Sequence, residues 1–353
     1  MPDRKAGPRT RPSVGYWRPL VKHGLLLIGG GLVVYLLYPQ IVGVLGQAPR
    51  LSRITWWWFP LMLLAETASF AAVWALARIS LPRLSWFAAA TSQLAANAAS
   101  RLVPGGAVVG GTVYFRMLQR AGVDSSGAAA ALTANSLVSS LVLFALPVGA
   151  AGFLAMAARV PKSLAVAAAG GAILFVIVFA AGALAVRFDA PLRLFGRVAD
   201  GLARALARLF HRKWHVDTER LIRERNEVVT AVRPHWRRAL ALAAANWLLD
   251  YLVLVFALAA VGGEPRLSFV LLAYSGAQVL ALIPLTPGGL GFVEAGLAGI
   301  LPLSGVPATD ALLAILAYRI FSFWLPIPAG GIAYLGARRH YREEPGSGAD
   351  VSN

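Results

Sequence analysis

The chain has 353 residues, of which 58% are hydrophobic and 14% charged, and it carries a net charge of +17. A soluble domain has about a quarter of its residues charged, so an ordinary soluble core is excluded. Cysteine is absent, which excludes disulfides, thiol nucleophiles and Cys-ligated metals.

The basic excess is that of a membrane protein and does not point to nucleic acid. Lys and Arg flank the apolar runs, as the positive-inside rule requires, and cytoplasmic basic residues also attract anionic lipid headgroups. Residues 1–23 form a basic tail with six Lys/Arg and no signal-peptide pattern. The first membrane half is expected over 24–187. Its runs are 24–45, 55–79, a broken segment 84–118, then 126–157 and 163–187. Several of these approach or exceed the roughly 20 apolar residues that span a bilayer. Trp56, Trp57 and Trp58 stand where the second run enters, as an interfacial belt.

Residues 188–238 are a polar insert with twelve Lys/Arg and six Asp/Glu, expected to be cytoplasmic. Within it, Leu194, Val198, Leu202, Leu206 and Leu209 recur at helical spacing, as do Arg193, Arg197, Arg204, Arg208 and Arg212. This predicts a basic amphipathic helix, with 193–214 lying on anionic inner-leaflet lipid; a solvated helix fits the same pattern. The second half, 239–337, holds runs 239–262 and 309–335 around a broken segment 267–303. The tail 338–353 is expected to be cytoplasmic and disordered. With both ends inside, the crossings must be even in number.

The two broken segments belong to an internal repeat. When Pro82 is laid on Pro265 and the chain is followed without gaps, 18 of 58 positions from Pro82 to Ser139 are identical. Pro-Arg-Leu-Ser, Pro-Gly-Gly and Gly-Val all coincide in that one register. The copies run in opposite directions through the topology. The predicted fold is therefore an all-α polytopic membrane protein with an inverted-topology repeat. It has two re-entrant helical hairpins and about six full spans, eight to ten membrane segments in all. Pro104, Gly105 and Gly106 form one tip, and Pro287, Gly288 and Gly289 the other. Pro removes a donor and Gly permits tight reversal. Backbone freed in this way is tolerated where it lines a polar cavity. The helix that starts after such a tip offers its positive end to an anion such as phosphate.

Charges at bilayer depth are functional candidates, because burying them is costly. They are Glu66, Arg101, Arg116, Asp250, Glu294 and Arg319. An Arg holds a phosphate through two parallel hydrogen bonds. A nearby carboxylate pairs the Arg when the site is empty, or meets a cationic headgroup or a proton. A buried Glu294–Arg319 pair that only fixes packing is the competing role. No Walker loop, HExxH or GxSxG occurs, and the five His lie in flanking polar regions. Neither catalysis nor a cofactor or metal is expected.

At residues 286–335 the sequence resembles the membrane domain of the lysylphosphatidylglycerol synthase/flippase family. The resemblance rests on Pro287, Gly288, Gly289, Gly291 and Glu294, on the Gly305-Val306 turn, and on the Tyr318-Arg319 pair ahead of an aromatic-Pro-Gly helix. It extends over about 20–340. It implies movement of a phospholipid or lipid-linked headgroup between leaflets of the inner (plasma) membrane. Because the chain ends at Asn353, a stand-alone member without the aminoacyl-transferase domain is expected. Copy one has Gly111 where copy two has Glu294, and Asn135-Ser136 where copy two has Tyr318-Arg319, so an asymmetric site is expected. The expected site comprises Arg101, Pro104, Gly105, Gly106, Asp250, Pro287, Gly288, Gly289, Glu294, Tyr318 and Arg319. A small-anion transporter on the same scaffold and a non-transporting scaffold for envelope assembly stand as alternatives. Homo-oligomerisation is open.

Overall fold

The computed structural model describes residues 55–103, 105–155, 233–283 and 286–341, with scattered positions between 156 and 232. The run 24–45, the N-terminal tail, residues 342–353, Pro104 and most of the insert lie outside the described residues, while Arg338, Arg339 and His340, expected in the disordered tail, end a helix. All regular structure among the described residues is helical.

The first half supplies α1 (Trp58–Ser80), α2 (Trp86–Leu102), α3 (Gly106–Arg120) and α4 (Ser125–Ala155). The second supplies α5 (Trp236–Ala260), α6 (Leu267–Leu280), α7 (Phe292–Ile300), α8 (Ala308–Arg319) and α9 (Pro326–His340). Short turns at Pro287–Gly289, Leu301–Ser304 and Ile320–Trp324 link the last of these. Four stretches are long and apolar enough to cross a membrane: Trp58–Ser80, Ser125–Ala150, Trp236–Ala260 and Ala308–His340. Their 23 to 33 residues exceed the roughly 20 that cover a 30 Å hydrocarbon layer.

Helices α1 and α5 are antiparallel neighbours. Thr55 N–H donates to the Ala260 carbonyl at 2.9 Å. Midway along, Asn246 Nδ2 donates to Ser69 Oγ at 2.8 Å. Helix α2 begins at an N-cap, where Ser85 Oγ accepts from the Ala88 N–H at 3.1 Å. It runs to Leu102, turns at Gly105 in the left-handed region, and returns as α3. A side chain at Gly106 would overlap the Ser100 carbonyl, so only glycine closes this turn. Helix α9 lies antiparallel along α2. Phe87 meets His340 near one end, and Gly330 sits against the Leu94 carbonyl further along. Starting at Arg266, whose N–H bonds the Ser304 carbonyl at 3.1 Å, α6 pairs in turn with α7. The turn at 287–289 packs against the ends of α2 and α3, with Gly288 beside the Arg101 side chain.

In the register that lays Pro82 on Pro265, two pairs of glycines share a left-handed backbone conformation. Gly105 and its counterpart Gly288 have φ of 67° and 54°, and Gly122 and its counterpart Gly305 have φ of 82° and 101°. Helices α4 and α8 start at Ser125 and Ala308, which are also equivalent in that register. Each glycine pair occupies a conformation that favours glycine.

Between α8 and α9 the helix takes a π turn, with Leu325 N–H bonding the Ile320 carbonyl at 2.8 Å. Pro326 has no N–H for the Ser322 carbonyl that a continuous α-helix would pair with it. The largest core lies among α1, α5, α6, α7 and α8, around Leu254, Leu258, Tyr274, Leu297, Ile315 and Tyr318. Leu64, Val108 and Ile332 face outward and are exposed, as side chains that meet lipid must be.

Candidate functional site

A cavity of about 350 Å³ opens among α1 to α6, α8 and the π turn. Five of the residues expected from sequence line it: Arg101, Asp250, Gly288, Tyr318 and Arg319. Pro287 and Gly289 are buried in one tip and Gly106 in the other, where they shape the turns rather than the cavity wall. Gly105 has open space around its Cα.

Asp250 is the best-bonded group of the wall. Its Oδ2 accepts from Tyr274 Oη at 2.5 Å, Tyr318 Oη at 2.9 Å and Gln278 Nε2 at 3.2 Å. Gln278 Nε2 also donates to Tyr318 Oη at 2.9 Å. Glu66 lines the same cavity as Asp250. It is buried, with 6% exposure, and its Oε2 has no hydrogen-bond partner. Such an atom costs about 1–3 kcal/mol unless something meets it.

The basic groups gather around one aromatic ring. The Arg319 guanidinium lies 4.3 Å from the centre of Phe323, and that of Arg101 lies 5.3 Å from it, both within cation–π range. Arg101 Nη1 donates to the Phe323 carbonyl at 2.9 Å. Arg319 Nε donates to Glu294 Oε1 at 2.6 Å. Arg319 Nη2 is buried without a partner.

Glu294 itself lies outside the cavity lining. It occupies the first turn of α7, where its Oε2 accepts from the Gly291 N–H at 2.7 Å. The helix start that the sequence offers to a headgroup phosphate is therefore occupied by a carboxylate of the same chain. Glu294 holds Arg319 by Nε, and Arg319 Nη2 is left without a hydrogen-bond partner.

The copy-one counterparts are not lost from the site. Asn135, Ser136 and Ser139 are the repeat equivalents of Tyr318, Arg319 and Ser322, and all six line this one cavity. Sequence reasoning missed Tyr274, Gln278, Phe323, Asn246 and Trp247. Uncharged residues in apolar helices resemble core.

The sequence matches the family model described as "Lysylphosphatidylglycerol synthase TM region" over residues 24–330. It is also similar to three archaeal proteins, each called a UPF0104 membrane protein. The one from Methanothermobacter thermautotrophicus is 33% identical over 91 residues, which is 26% of this chain and 27% of that protein. The Methanocaldococcus jannaschii protein is 27% identical over 106 residues, 30% of this chain and 45% of the relative. For Pyrococcus horikoshii the figures are 27% over 148 residues, 39% and 44%. The chain thus spans less than half the length of each of these relatives.

Proposed function

The chain belongs to the lysylphosphatidylglycerol synthase transmembrane-region family, and from that membership and the charged cavity we propose that it moves a phospholipid or lipid-linked headgroup between membrane leaflets. One observation carries the reading. Arg319, which is buried, and Arg101, which is partly buried, both line a cavity between apolar helices, and Arg319 Nη2 has no hydrogen-bond partner. A phosphodiester supplies the acceptor that this group lacks, and Arg is suited to hold it. The family's description names a lipid with such a group. The acyl chains stay in lipid, beside the exposed apolar faces.

The scaffold of this proposal is an inverted-topology repeat with two re-entrant hairpins. The repeat is supported by its gap-free register, in which the left-handed Gly105 and Gly288 of the two tips coincide. In this reading the termini, the insert and the basic ends of α3 and α9 face the cytoplasm, by the excess of Lys and Arg, and the membrane is the plasma membrane. The amphipathic stretch 193–214 rests on anionic lipid. Among its described positions, Arg193, Leu194 and Arg197 are helical and exposed.

The test is reconstitution into vesicles with fluorescent phosphatidylglycerol in one leaflet, followed by an impermeant quencher. Wild type should speed leaflet exchange, and Arg101→Gln and Arg319→Gln should slow it by at least tenfold. Uptake of free inorganic phosphate with no lipid exchange would overturn the lipid reading in favour of a soluble-anion transporter.

A further inference from the structure

The cavity changes character along its length. Arg101 and Arg319 share the Phe323 ring at one end of it. Asp250 is bonded there to Tyr318, and Glu66 lies one turn of α1 beyond the Ser69–Asn246 bond, on the side of Asp250. From this charged end the lining runs to Leu76 on α1, Gln93 on α2 and Ala243 on α5. At 1.5 Å per residue, that is a length of about 10–15 Å. Along it the described polar residues are uncharged: Ser69, Gln93, Asn97, Asn135, Ser139 and Asn246. Trp247 stands among them. Its Nε1 donates to the Ser139 carbonyl at 2.9 Å and to Ser139 Oγ at 3.1 Å, so the ring's contribution to the wall is apolar, like that of Phe70. Two buried acceptors of lining residues, Glu66 Oε2 and Asn97 Oδ1, have no hydrogen-bond partner. Arg319 Nη2 is a donor in the same condition.

Resting on the lipid reading above, we propose that the headgroup is a ring-sized neutral polyol joined through a phosphodiester: a hexose or cyclitol whose phosphate meets Arg319 and whose hydroxyls meet Glu66 and Asn97.

A hydroxyl both donates and accepts. It can give a hydrogen to Glu66 Oε2 or Asn97 Oδ1 and take one from an amide of the same wall. A ligand without donors leaves both acceptors unmet, and an unmet buried acceptor is costly. That sets choline-type headgroups aside, because a quaternary ammonium has no N–H. Such a group seeks an open aromatic face instead, and the Phe323 ring already carries two guanidinium groups. A primary ammonium seeks a carboxylate. Asp250 Oδ2 already accepts from Tyr274, Tyr318 and Gln278, and Glu294 is bonded to Arg319 outside the lining. Glu66 alone would receive the ammonium, and the amides and hydroxyls along the cavity would go unmatched. A sugar ring has a hydroxyl edge and a C–H face, which is the pairing that this wall of amides beside Trp247 and Phe70 presents. Glycerol has the hydroxyls but no ring face. The volume of about 350 Å³ stands near the lower limit of the roughly 300–1,000 Å³ usual for small-molecule sites. It suits a phosphate with one ring and is too small for a chain of sugars.

The experiment uses the full chain in vesicles with acyl-labelled fluorescent lipids that differ only in headgroup: phosphatidylinositol, phosphatidylglycerol, phosphatidylethanolamine and phosphatidylcholine. Wild type should exchange the inositol lipid at least about tenfold faster than the ethanolamine and choline lipids, the ratio that one or two net hydrogen bonds supply. It should also exchange it faster than the glycerol lipid. Asn97→Ala and Glu66→Ala should each bring the inositol lipid down toward the choline lipid. A fault in folding alone would slow all four lipids alike, and that result would overturn the contact assigned to the residue. If a variant does not accumulate, the wild-type ranking of headgroups decides. Wild-type exchange that is as fast with the ethanolamine or choline lipid, or fastest with the glycerol lipid, would overturn this proposal and leave the lipid reading standing. Uptake of free glucose 1-phosphate or inositol 1-phosphate with no lipid exchange would overturn both, as would a failure to exchange any of the four lipids.

Discussion

Glu294 and Arg319 form a buried ion pair in which the two partners are unequally placed, and removing them one at a time should show it. Arg319 is 6% exposed at its side chain and Glu294 19%. Substituting Glu294→Gln strands a guanidinium that already has one unpartnered nitrogen; the loss should be about 3–5 kcal/mol, the usual cost of an uncompensated buried charge. Substituting Arg319→Met strands a carboxylate that is partly solvated and still bonded to the Gly291 N–H, so the loss should be nearer to about 1–3 kcal/mol. The double variant should be more stable than the sum of the losses suggests, by about 1–3 kcal/mol. Its transport should stay low, because Arg319 is gone. The measurements are equilibrium unfolding in mixed detergent for the four proteins, alongside lipid exchange in vesicles. Equal losses for the two single variants, or strict additivity, would refute the assignment of Glu294 as the group that positions Arg319. A double variant that recovered transport together with stability would refute Arg319 as a headgroup ligand.

Three further outcomes follow from particular contacts. Gly330→Ala drives a methyl into the Leu94 carbonyl and to 2.5 Å from Ala98 Cβ, so it should destabilise by about 1–3 kcal/mol; Gly331→Ala, with nothing within 4 Å, should be neutral in the same unfolding assay. Tyr318→Phe removes a donor to Asp250 and an acceptor for Gln278, and should cost about 1–3 kcal/mol and slow lipid exchange. In this cysteine-free chain, single cysteines at exposed Arg120 and at Asp217 should be labelled from the cytoplasmic side and one at Glu264 from the other; labelling of all three from one side would sink the inverted arrangement.

Charge inside apolar runs was the most legible signal in the sequence. It marked Arg101, Asp250 and Arg319, and the cavity contains all three. The glycines of two turns were legible as well, because glycine is favoured wherever φ is positive, as at Gly105, Gly122, Gly288 and Gly305. Glu294 shows where such reasoning stops. A carboxylate soon after a Pro-Gly-Gly break looks like a ligand, yet at the third position of α7 its shortest route is to the backbone of its own helix start. Gln278 and Tyr274 were hidden for a different reason. Nothing in an apolar helix marks which face turns toward Asp250 until α5 and α6 are packed together. Glu66 was visible as a charge, but the cavity it lines is completed by residues from the other half of the chain.

The π turn at Ile320–Trp324 also bears on how this chain can change in length. An α-helix rotates by about 100° per residue, so one residue lost from α8 or α9 would swing Arg319 off Glu294 or Gly330 off α2. A π turn is a helix with one residue to spare, taken up locally. A deletion within 320–324 can straighten the turn to α while both flanks keep their faces. Single-residue gaps among relatives should therefore collect at this turn and avoid the two helices beside it. Each such gap would alter the path of the backbone that presents the Phe323 ring to the two guanidinium groups.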